Sequence, residues 1–417
     1  MNLATLCLPS RRARRLLLLV AGVVGCAPDG PAADSAVPAP GTPEVIASPA
    51  DSGASFPHLA VTAAGQPVLS WTQRAADSTV SIRLASWSGA GWDSVRTVTS
   101  GRPYFVNWAD FPSVTVLGNG ELAAHWLERE GTSKYAYGIR VVRSTDGGRT
   151  WSAPVTPHTD GLAAEHGFVS LWAEGDDRLG LVWLDGRKSA MPDSAREMTI
   201  RTAEVAPDGT LHREQLVDAR SCDCCQTGTA ATAAGRVLLY RDRSEAEIRD
   251  IAVVRRTDSA WTAPVKVHDD DWHYPGCPVN GPQAASSGDT VVVAWYTAAH
   301  DTARVQVARS TDGGATFAAP IRVDDGRPIG RVDVQLDAQG RALVSWLETA
   351  TDSVAEVRLR RVDLARGARS EARVLATTGT ARASGFPRLV RAGNALFAAW
   401  TTLAGGPRLQ LARVPLD

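Results

Sequence analysis

The stretch that decides the fold is RSTDGGRTW at residues 143–151, and it returns almost unchanged as RSTDGGATF at residues 309–317. Each copy predicts a tight turn, because serine and aspartate side chains cap backbone N–H groups and the paired glycines supply positive φ. The closing aromatic residue then leads into a new strand. Two such copies in one chain indicate an internal repeat, which has to be settled before any local assignment.

A longer pattern surrounds these turns and gives their register. A short strand, a glycine turn and an apolar strand that ends in an aromatic residue recur seven times, and the closing aromatics are Trp71, Trp126, Trp183, Tyr240, Trp295, Trp346 and Trp400. They lie 55, 57, 57, 55, 51 and 54 residues apart, which is just above the usual period of propeller blades. We therefore predict an all-β propeller of seven four-stranded blades, with six blades as the alternative.

The two ends of the chain are predicted to complete one blade together. The last repeat has its third strand, RLQLAR at residues 408–413, and the chain then stops. The stretch EVIAS at residues 44–48 can supply the missing fourth strand. That pairing closes the ring and leaves few open sheet edges.

The repeated turn resembles the Asp box, Ser-x-Asp-x-Gly-x-x-Trp/Phe, of sialidases and related BNR-repeat β-propellers. The matching positions are Ser144, Asp146, Gly148 and Trp151 in the first copy, and Ser310, Asp312, Gly314 and Phe317 in the second. The resemblance covers the chain from about residue 42 to its end. It implies that the boxes are structural turns between third and fourth strands, on the face opposite the ligand-binding mouth.

The resemblance also implies an activity, the hydrolysis of glycosides of sialic acid or a related acidic sugar. Sialidases use three arginines, an aspartate acid/base and a tyrosine paired with a glutamate. The chain departs from this pattern, since residues 55–58 read SFPH where sialidases have Phe/Tyr-Arg-Ile-Pro. No Tyr/Glu pair can be assigned from the sequence, so the hydrolase is the alternative function.

The N-terminus predicts export and lipid anchoring. Four arginines within residues 11–15 precede the apolar run of residues 16–24, as in a signal peptide. The sequence VVGC at residues 23–26 resembles a bacterial lipobox, which would place a lipid on Cys26; an ordinary signal peptide is the alternative. We expect a signal peptide at residues 1–25, a flexible tether at 26–41 and one propeller domain at 42–417, anchored at the bacterial cell envelope.

Composition limits the partners. The chain has 44 basic and 45 acidic residues, so no basic excess points to nucleic acid. We expect a monomer whose partner is a glycan or a protein of the cell envelope.

Propeller function usually gathers at the mouth, which is formed by the loops that lead into first strands and by the loops between second and third strands. Candidate ligand-binding residues in the leading loops are Trp108, Asp110, Arg331, Asp333 and Arg388, and those in the second-to-third loops are Arg187, Arg241, Asp242 and Arg243. Such a mouth suits an anionic or sugar-like ligand. For each residue the alternative is a polar group that simply faces water.

All cysteines of the folded domain lie in two leading loops, at Cys222, Cys224, Cys225 and Cys277. Export predicts two disulfides, with a long link to Cys277 and a local bond within residues 222–225. A copper or zinc site with thiolate ligands and His273, or a redox-active pair, is the alternative. No other cofactor is expected. The sequence thus predicts a propeller that binds a glycan, small ligand or protein at a cysteine-bearing mouth.

Overall fold

The computed structural model describes residues 36–191, 197–258 and 260–416. The chain divides into two units at residue 35, and the second unit, residues 36–417, is compact. The predicted signal peptide and Cys26 fall in the first unit and lie outside the described residues. Within the described ranges, no helix is long and apolar enough to cross a membrane.

The second unit is an all-β propeller of seven blades, which confirms the predicted architecture and rules out the six-bladed alternative. Its first strand, β1 (Glu44–Ile46), belongs to the last blade. Blade 1 contains β2 (Ala54–Val61), β3 (Pro67–Arg74), β4 (Val80–Ser86) and β5 (Arg96–Ser100). Blade 2 contains β6 (Ser113–Val116), β7 (Leu122–Arg129) and β8 (Tyr137–Ser144). Blade 3 contains β9 (His166–Glu174), β10 (Arg178–Asp185), β11 (Met198–Val205) and β12 (Leu211–Ser221).

The remaining blades follow the same order. Blade 4 contains β13 (Gly228–Thr232), β14 (Gly235–Arg241), β15 (Ile251–Arg255) and β16 (Val265–Lys266). Blade 5 contains β17 (Gln283–Ser287), β18 (Thr290–Thr297), β19 (Arg304–Ser310) and β20 (Ile321–Arg322). Blade 6 contains β21 (Pro328–Leu336), β22 (Ala342–Thr349), β23 (Val354–Asp363), β24 (Ala368–Arg369) and β25 (Arg373–Gly379). Blade 7 contains β26 (Arg388–Ala392), β27 (Ala395–Thr402), β28 (Arg408–Pro415) and β1, and the short helical pieces are α1 (Arg187–Ala190) and two 3-10 turns, Ala299–Asp301 and Arg382–Ser384.

The closing aromatics anchor the second strand of every blade. All seven are fully buried between neighbouring blades, where large aromatic side chains contribute most of the packing. Their polar atoms are satisfied internally, and Trp126 and Trp346 donate to the glutamates two residues on, Glu128 and Glu348. The second strands read as near-continuous apolar runs because both of their faces are covered.

The ring closes as the sequence predicted. Strand β1 pairs antiparallel with β28, with Glu44 opposite Arg413 and Ile46 opposite Leu411. Ile46 also packs against the core shared by blades 7 and 1. Upstream of β1, the carbonyl oxygen of Pro38 accepts a hydrogen bond from the buried Arg361 of blade 6. The last residues of the predicted tether therefore lie against the domain.

Both Asp boxes are tight turns after a third strand. In the first box Asp146 Oδ1 accepts hydrogen bonds from two backbone N–H groups of the turn, and Ser144 accepts one from Gly148. The second box repeats these bonds at Asp312 and Ser310. Trp151 packs on the core between blades 1 and 2, and Phe317 on that between blades 4 and 5. The predicted fourth strand of blade 2 is reduced to one bridge between Val141 and Val155.

The closure can be tested by truncation. A chain that begins at residue 49 lacks β1, so it loses the packing of Ile46, about 1–2 kcal/mol for a partly buried isoleucine, and leaves the edge of β28 open. We expect a lower thermal midpoint and concentration-dependent aggregation, measured by calorimetry and light scattering. A chain that begins at residue 36 keeps β1 and is the control; equal midpoints for the two would contradict the closure.

Candidate functional site

The mouth of the propeller is held by side chains that accept hydrogen bonds from the backbone of the next blade. The bonds run from Phe168 N–H to Asp110 (2.7 Å), Gly281 N–H to Gln226 (3.1 Å), Arg331 N–H to Asn280 (2.7 Å), Leu389 N–H to Asp333 (2.8 Å) and Phe56 N–H to Thr401 (3.1 Å). The five acceptors, called the mouth ring below, are all buried. Buried backbone donors need such partners, so these side chains fix the leading loops against one another.

Three of the donors in these bonds have strained backbones. Phe56, Phe168 and Arg331 have φ of 55°, 55° and 54°, a left-handed conformation that costs a bulky residue on the order of 1–3 kcal/mol. Each N–H is held by its mouth-ring partner, so the bond offsets part of the strain. The same conformation recurs at the start of three inner strands, which turns the three side chains to equivalent places around the axis.

The predicted candidates of the leading loops come together at this axis. Arg331 lies over the Trp108 ring with 4.9 Å from its guanidinium carbon to the ring centroid, and donates to the carbonyl oxygen of Gly385. Arg388 lies 5.0 Å from the centroid of Phe111. Burial lowers the pKa of Arg331 to about 10, helped by the charge of nearby Arg382. Asp110 and Asp333 belong to the mouth ring, so the structure gives both a structural role.

The predicted candidates of the second-to-third loops are engaged within the protein. Arg187 pairs with Asp185 at 2.7 Å and with Asp160 at 3.0 Å. Arg241, 1% exposed, donates to the carbonyl oxygens of Asn280, Arg249 and Tyr296 and so joins blades 4 and 5.

The neighbouring pair follows the same pattern. Arg243 pairs with Glu247 at 2.8 Å and with Asp223 at 3.3 Å. The pKa of Asp242 is raised to about 6 by burial. A ligand role for these four candidates stays a prediction.

The structure assembles a tyrosine–carboxyl group that the sequence did not reveal. Tyr137 Oη lies 3.2 Å from Asp110 Oδ2 and 2.8 Å from Glu165 Oε1. A hydroxyl has one proton, so both contacts are hydrogen bonds only if one carboxyl is protonated. Burial raises the pKa of Asp110 to about 8 and that of Glu165 to about 7. Gly167 is needed here, because a Cβ on it would lie 2.0 Å from Asp110 Oδ2.

A second polar cluster lies beside this group, between blades 2 and 3. The His158 and His166 rings stack with centroids 3.8 Å apart, and His166 Nε2 lies 2.8 Å from Asp160 Oδ2. Asp160, His166 and Asp185 offer ligand atoms within 4.8 Å of one another, but Arg187 already pairs with both aspartates. The guanidinium supplies the positive charge that a metal ion would bring to the two aspartates, while His166 Nδ1 is buried without a hydrogen-bond partner.

The cysteines form one cluster across the loops of blades 4 and 5. Cys224 and Cys277 form a disulfide, which is the predicted long link. The predicted local bond is not formed, since Cys222 and Cys225 are buried thiols with Sγ atoms 2.9 Å apart. Burial raises the pKa of the Cys225 thiol. The hydrogen bond from Cys222 and the charge of Arg241 outweigh this effect and lower the pKa to about 7. The sulfurs of Cys222, Cys224 and Cys225 lie within 4.8 Å of one another.

A groove with a volume of about 610 Å³ opens beside the disulfide and is called the aromatic groove. It is lined by residues 271–274, 277–278, 280, 296, 298, 300–301 and 303. Trp272 stacks on Tyr274 and meets Tyr296 edge-on, with centroid distances of 5.4 and 5.7 Å. Tyr274 is 39% exposed, and His273 and His300 are exposed at the rim.

The backbone around the aromatic groove is strained. Asp271, Val279, His300 and Asp301 have φ between 49° and 54°, and such strain in non-glycine residues clusters at functional sites. The sequence pointed to half of this groove, because Trp272, His273 and Tyr274 stand in a cysteine-bearing loop. The other half comes from Tyr296 near the end of β18 and from His300 in the second-to-third loop of the same blade, and these residues carried no signal of their own in the sequence.

Comparisons with known proteins support the fold and nothing further. No protein-family profile and no curated protein sequence matches this chain. A puromycin-hydrolysing peptidase of Mycobacterium tuberculosis is 12% identical with a TM-score of 0.53, over 92% of this chain and 55% of that one.

Two other solved structures have lower TM-scores. A Dyadobacter fermentans protein of unknown function is 16% identical over 88% of this chain and 96% of that one, with a TM-score of 0.49. The Hadza microbial sialidase Hz136 is 15% identical over 70% and 63%, with a TM-score of 0.44. Likenesses at these identities carry no activity over to this chain.

Thiol titration tests the cysteine cluster. In protein that begins at residue 36 and so lacks Cys7 and Cys26, we expect no reactive thiol in the native state, because Cys222 and Cys225 are buried, and two per chain after unfolding without reductant. Reduction of the Cys224–Cys277 link, which spans 53 residues, should cost about 4 kcal/mol of unfolding free energy. Four blocked cysteines without metal would show a second disulfide, whereas stoichiometric copper or zinc would support the metal alternative.

Proposed function

We propose that the protein binds a glycan in the aromatic groove beside the Cys224–Cys277 disulfide. The observation that carries this proposal is the stacked Trp272–Tyr274 pair. The Tyr274 ring is exposed in a groove with a volume of about 610 Å³. Sugar rings have apolar faces that pack on aromatic rings, and pockets of this size suit ligands of one or two rings.

The rim of the groove supplies polar partners for hydroxyl groups. His273, His300 and Asp301 are exposed there, and imidazole and carboxylate groups form hydrogen bonds with hydroxyls. The disulfide and the bonds from Arg241 to Asn280 and Tyr296 hold the two loops from behind. A site fixed in this way loses little conformational entropy on binding.

A glycoside hydrolase of acidic sugars is the second candidate function, and the Asp110–Tyr137–Glu165 group favours it. A carboxyl with a pKa near 7, as at Glu165, suits a general acid. The geometry also weighs against it, because Tyr137 is 1% exposed and lies under the Phe105 ring at a centroid distance of 3.8 Å. A substrate would have to displace Phe105, whereas the aromatic groove is already open.

The binding proposal is tested with a glycan panel that includes sialylated and uronic-acid oligosaccharides. We expect the Tyr274→Ala variant to lose about tenfold or more in affinity, since stacking on an aromatic ring contributes on the order of 1 kcal/mol or more. Tyr135→Ala is the control, because Tyr135 is a 50% exposed tyrosine outside the groove. Equal binding by both variants would contradict the groove, and sugar release abolished by Tyr137→Phe would support the hydrolase.

We further propose that the protein is an exported monomer held at the bacterial cell envelope by a lipid on Cys26. The lipobox-like sequence supports this, and so does a disulfide, since such bonds persist in oxidising compartments. In a bacterial host we expect the wild type to sediment with membranes and incorporate labelled fatty acid. Cys26→Ser should abolish the label; a labelled Cys26→Ser variant would contradict the assignment.

A further inference from the structure

A partly open polar cavity of about 140 Å³ lies in the central channel, below the aromatic side chains of the mouth. Its wall carries hydroxyl and amide groups from the inner strands, together with His58 of blade 1, the Asp110 carboxyl of blade 2 and Arg388 of blade 7. None of its lining residues lines the aromatic groove. The cavity therefore needs an explanation separate from glycan binding.

Arg388 has no acceptor for its N–H groups among the residues that the structure describes. Its side chain is 8% exposed, and its Nε is buried without a hydrogen bond. Phe111 and Phe386 cover the guanidinium, with centroid distances of 5.0 and 5.9 Å. The charge of Asp333 acts on it, but both Asp333 oxygens accept backbone N–H groups, from Val334 and Leu389.

Two more unsatisfied polar atoms face the same space. His58 Nδ1 and Thr229 Oγ1 are buried without partners, and both residues line the cavity. Burial and the neighbouring Arg388 lower the pKa of His58 to about 3, so the imidazole is neutral and adds no charge to the cavity. Buried polar groups in native proteins are usually hydrogen-bonded, so three unpartnered groups around one space call for a ligand.

We propose that this cavity binds a small oxyanion, held by the Arg388 guanidinium together with the Thr229 hydroxyl. The forked N–H groups of arginine match two oxygens of a carboxylate, phosphate or sulfate. Water in the cavity can accept hydrogen bonds from the guanidinium, but it brings no negative charge. A volume of about 140 Å³ accommodates a few heavy atoms, so we expect an inorganic ion or a short acid.

The test is thermal unfolding and calorimetric titration of the full propeller with sodium acetate, phosphate and sulfate, against sodium chloride at equal ionic strength and pH. One oxyanion should raise the midpoint in proportion to the logarithm of its concentration, with one site per chain. The three salts distinguish a carboxylate ligand from an inorganic one.

The variants separate an anion site from a structural arginine. Arg388→Met should weaken binding on the order of 10- to 100-fold, and in chloride its midpoint should equal or exceed that of the wild type, because an unpaired buried charge is gone. Arg382→Met is the matched control, since Arg382 is exposed on the mouth side. If Arg388→Met fails to fold, Thr229→Val, which removes only a hydroxyl, should still weaken binding severalfold.

The outcomes are distinct from those of the glycan experiment. Tyr274→Ala should keep the full response to the oxyanion. A wild-type midpoint that responds to no oxyanion beyond chloride would overturn the site, as would an unchanged response in Arg388→Met.

Discussion

Hydrogen bonds from the backbone of one blade to a buried side chain of the previous blade are the constraint on which the mouth depends. They cross five of the blade junctions, through Asp110, Gln226, Asn280, Asp333 and Thr401. Loops that meet at the axis of a propeller bury backbone N–H groups for which the sheets provide no partner. Side chains of the neighbouring blade supply the acceptors, and three of the donor residues adopt a strained positive φ.

This constraint explains why charge at the mouth is a poor guide to ligand binding here. Asp110 and Asp333 hold backbone, Arg241 caps three carbonyl oxygens, and Arg187 neutralises two buried aspartates. Each of these side chains has its partners inside the protein. Surface that remains open for a ligand is found in blade 5, where a cysteine-bearing loop and a second-to-third loop leave Tyr274 exposed above Trp272.

Unsatisfied groups are informative against this background of satisfied ones. The cluster around Tyr137 is dense and internally paired, whereas His166 keeps its Nδ1 without a partner. The channel cavity differs, because three residues from three blades, Arg388, His58 and Thr229, each keep an unpartnered atom around one space. A chain that satisfies most of its buried polar groups and leaves three unpaired around one space points to something that fills that space.

The sequence by itself determined the seven blades, the closure by residues 44–46, the turns at Ser144 and Ser310, and the nearness of the two cysteine-bearing loops. These features follow from repeat spacing and local turn chemistry, and both can be read along one chain. The tertiary structure alone decided which polar residues face each other: the Tyr137–Glu165 contact, the second wall of the aromatic groove and the isolation of Arg388 all join residues from different loops or blades. Contacts of that kind depend on how blades pack around the axis, and no periodicity within one blade encodes them.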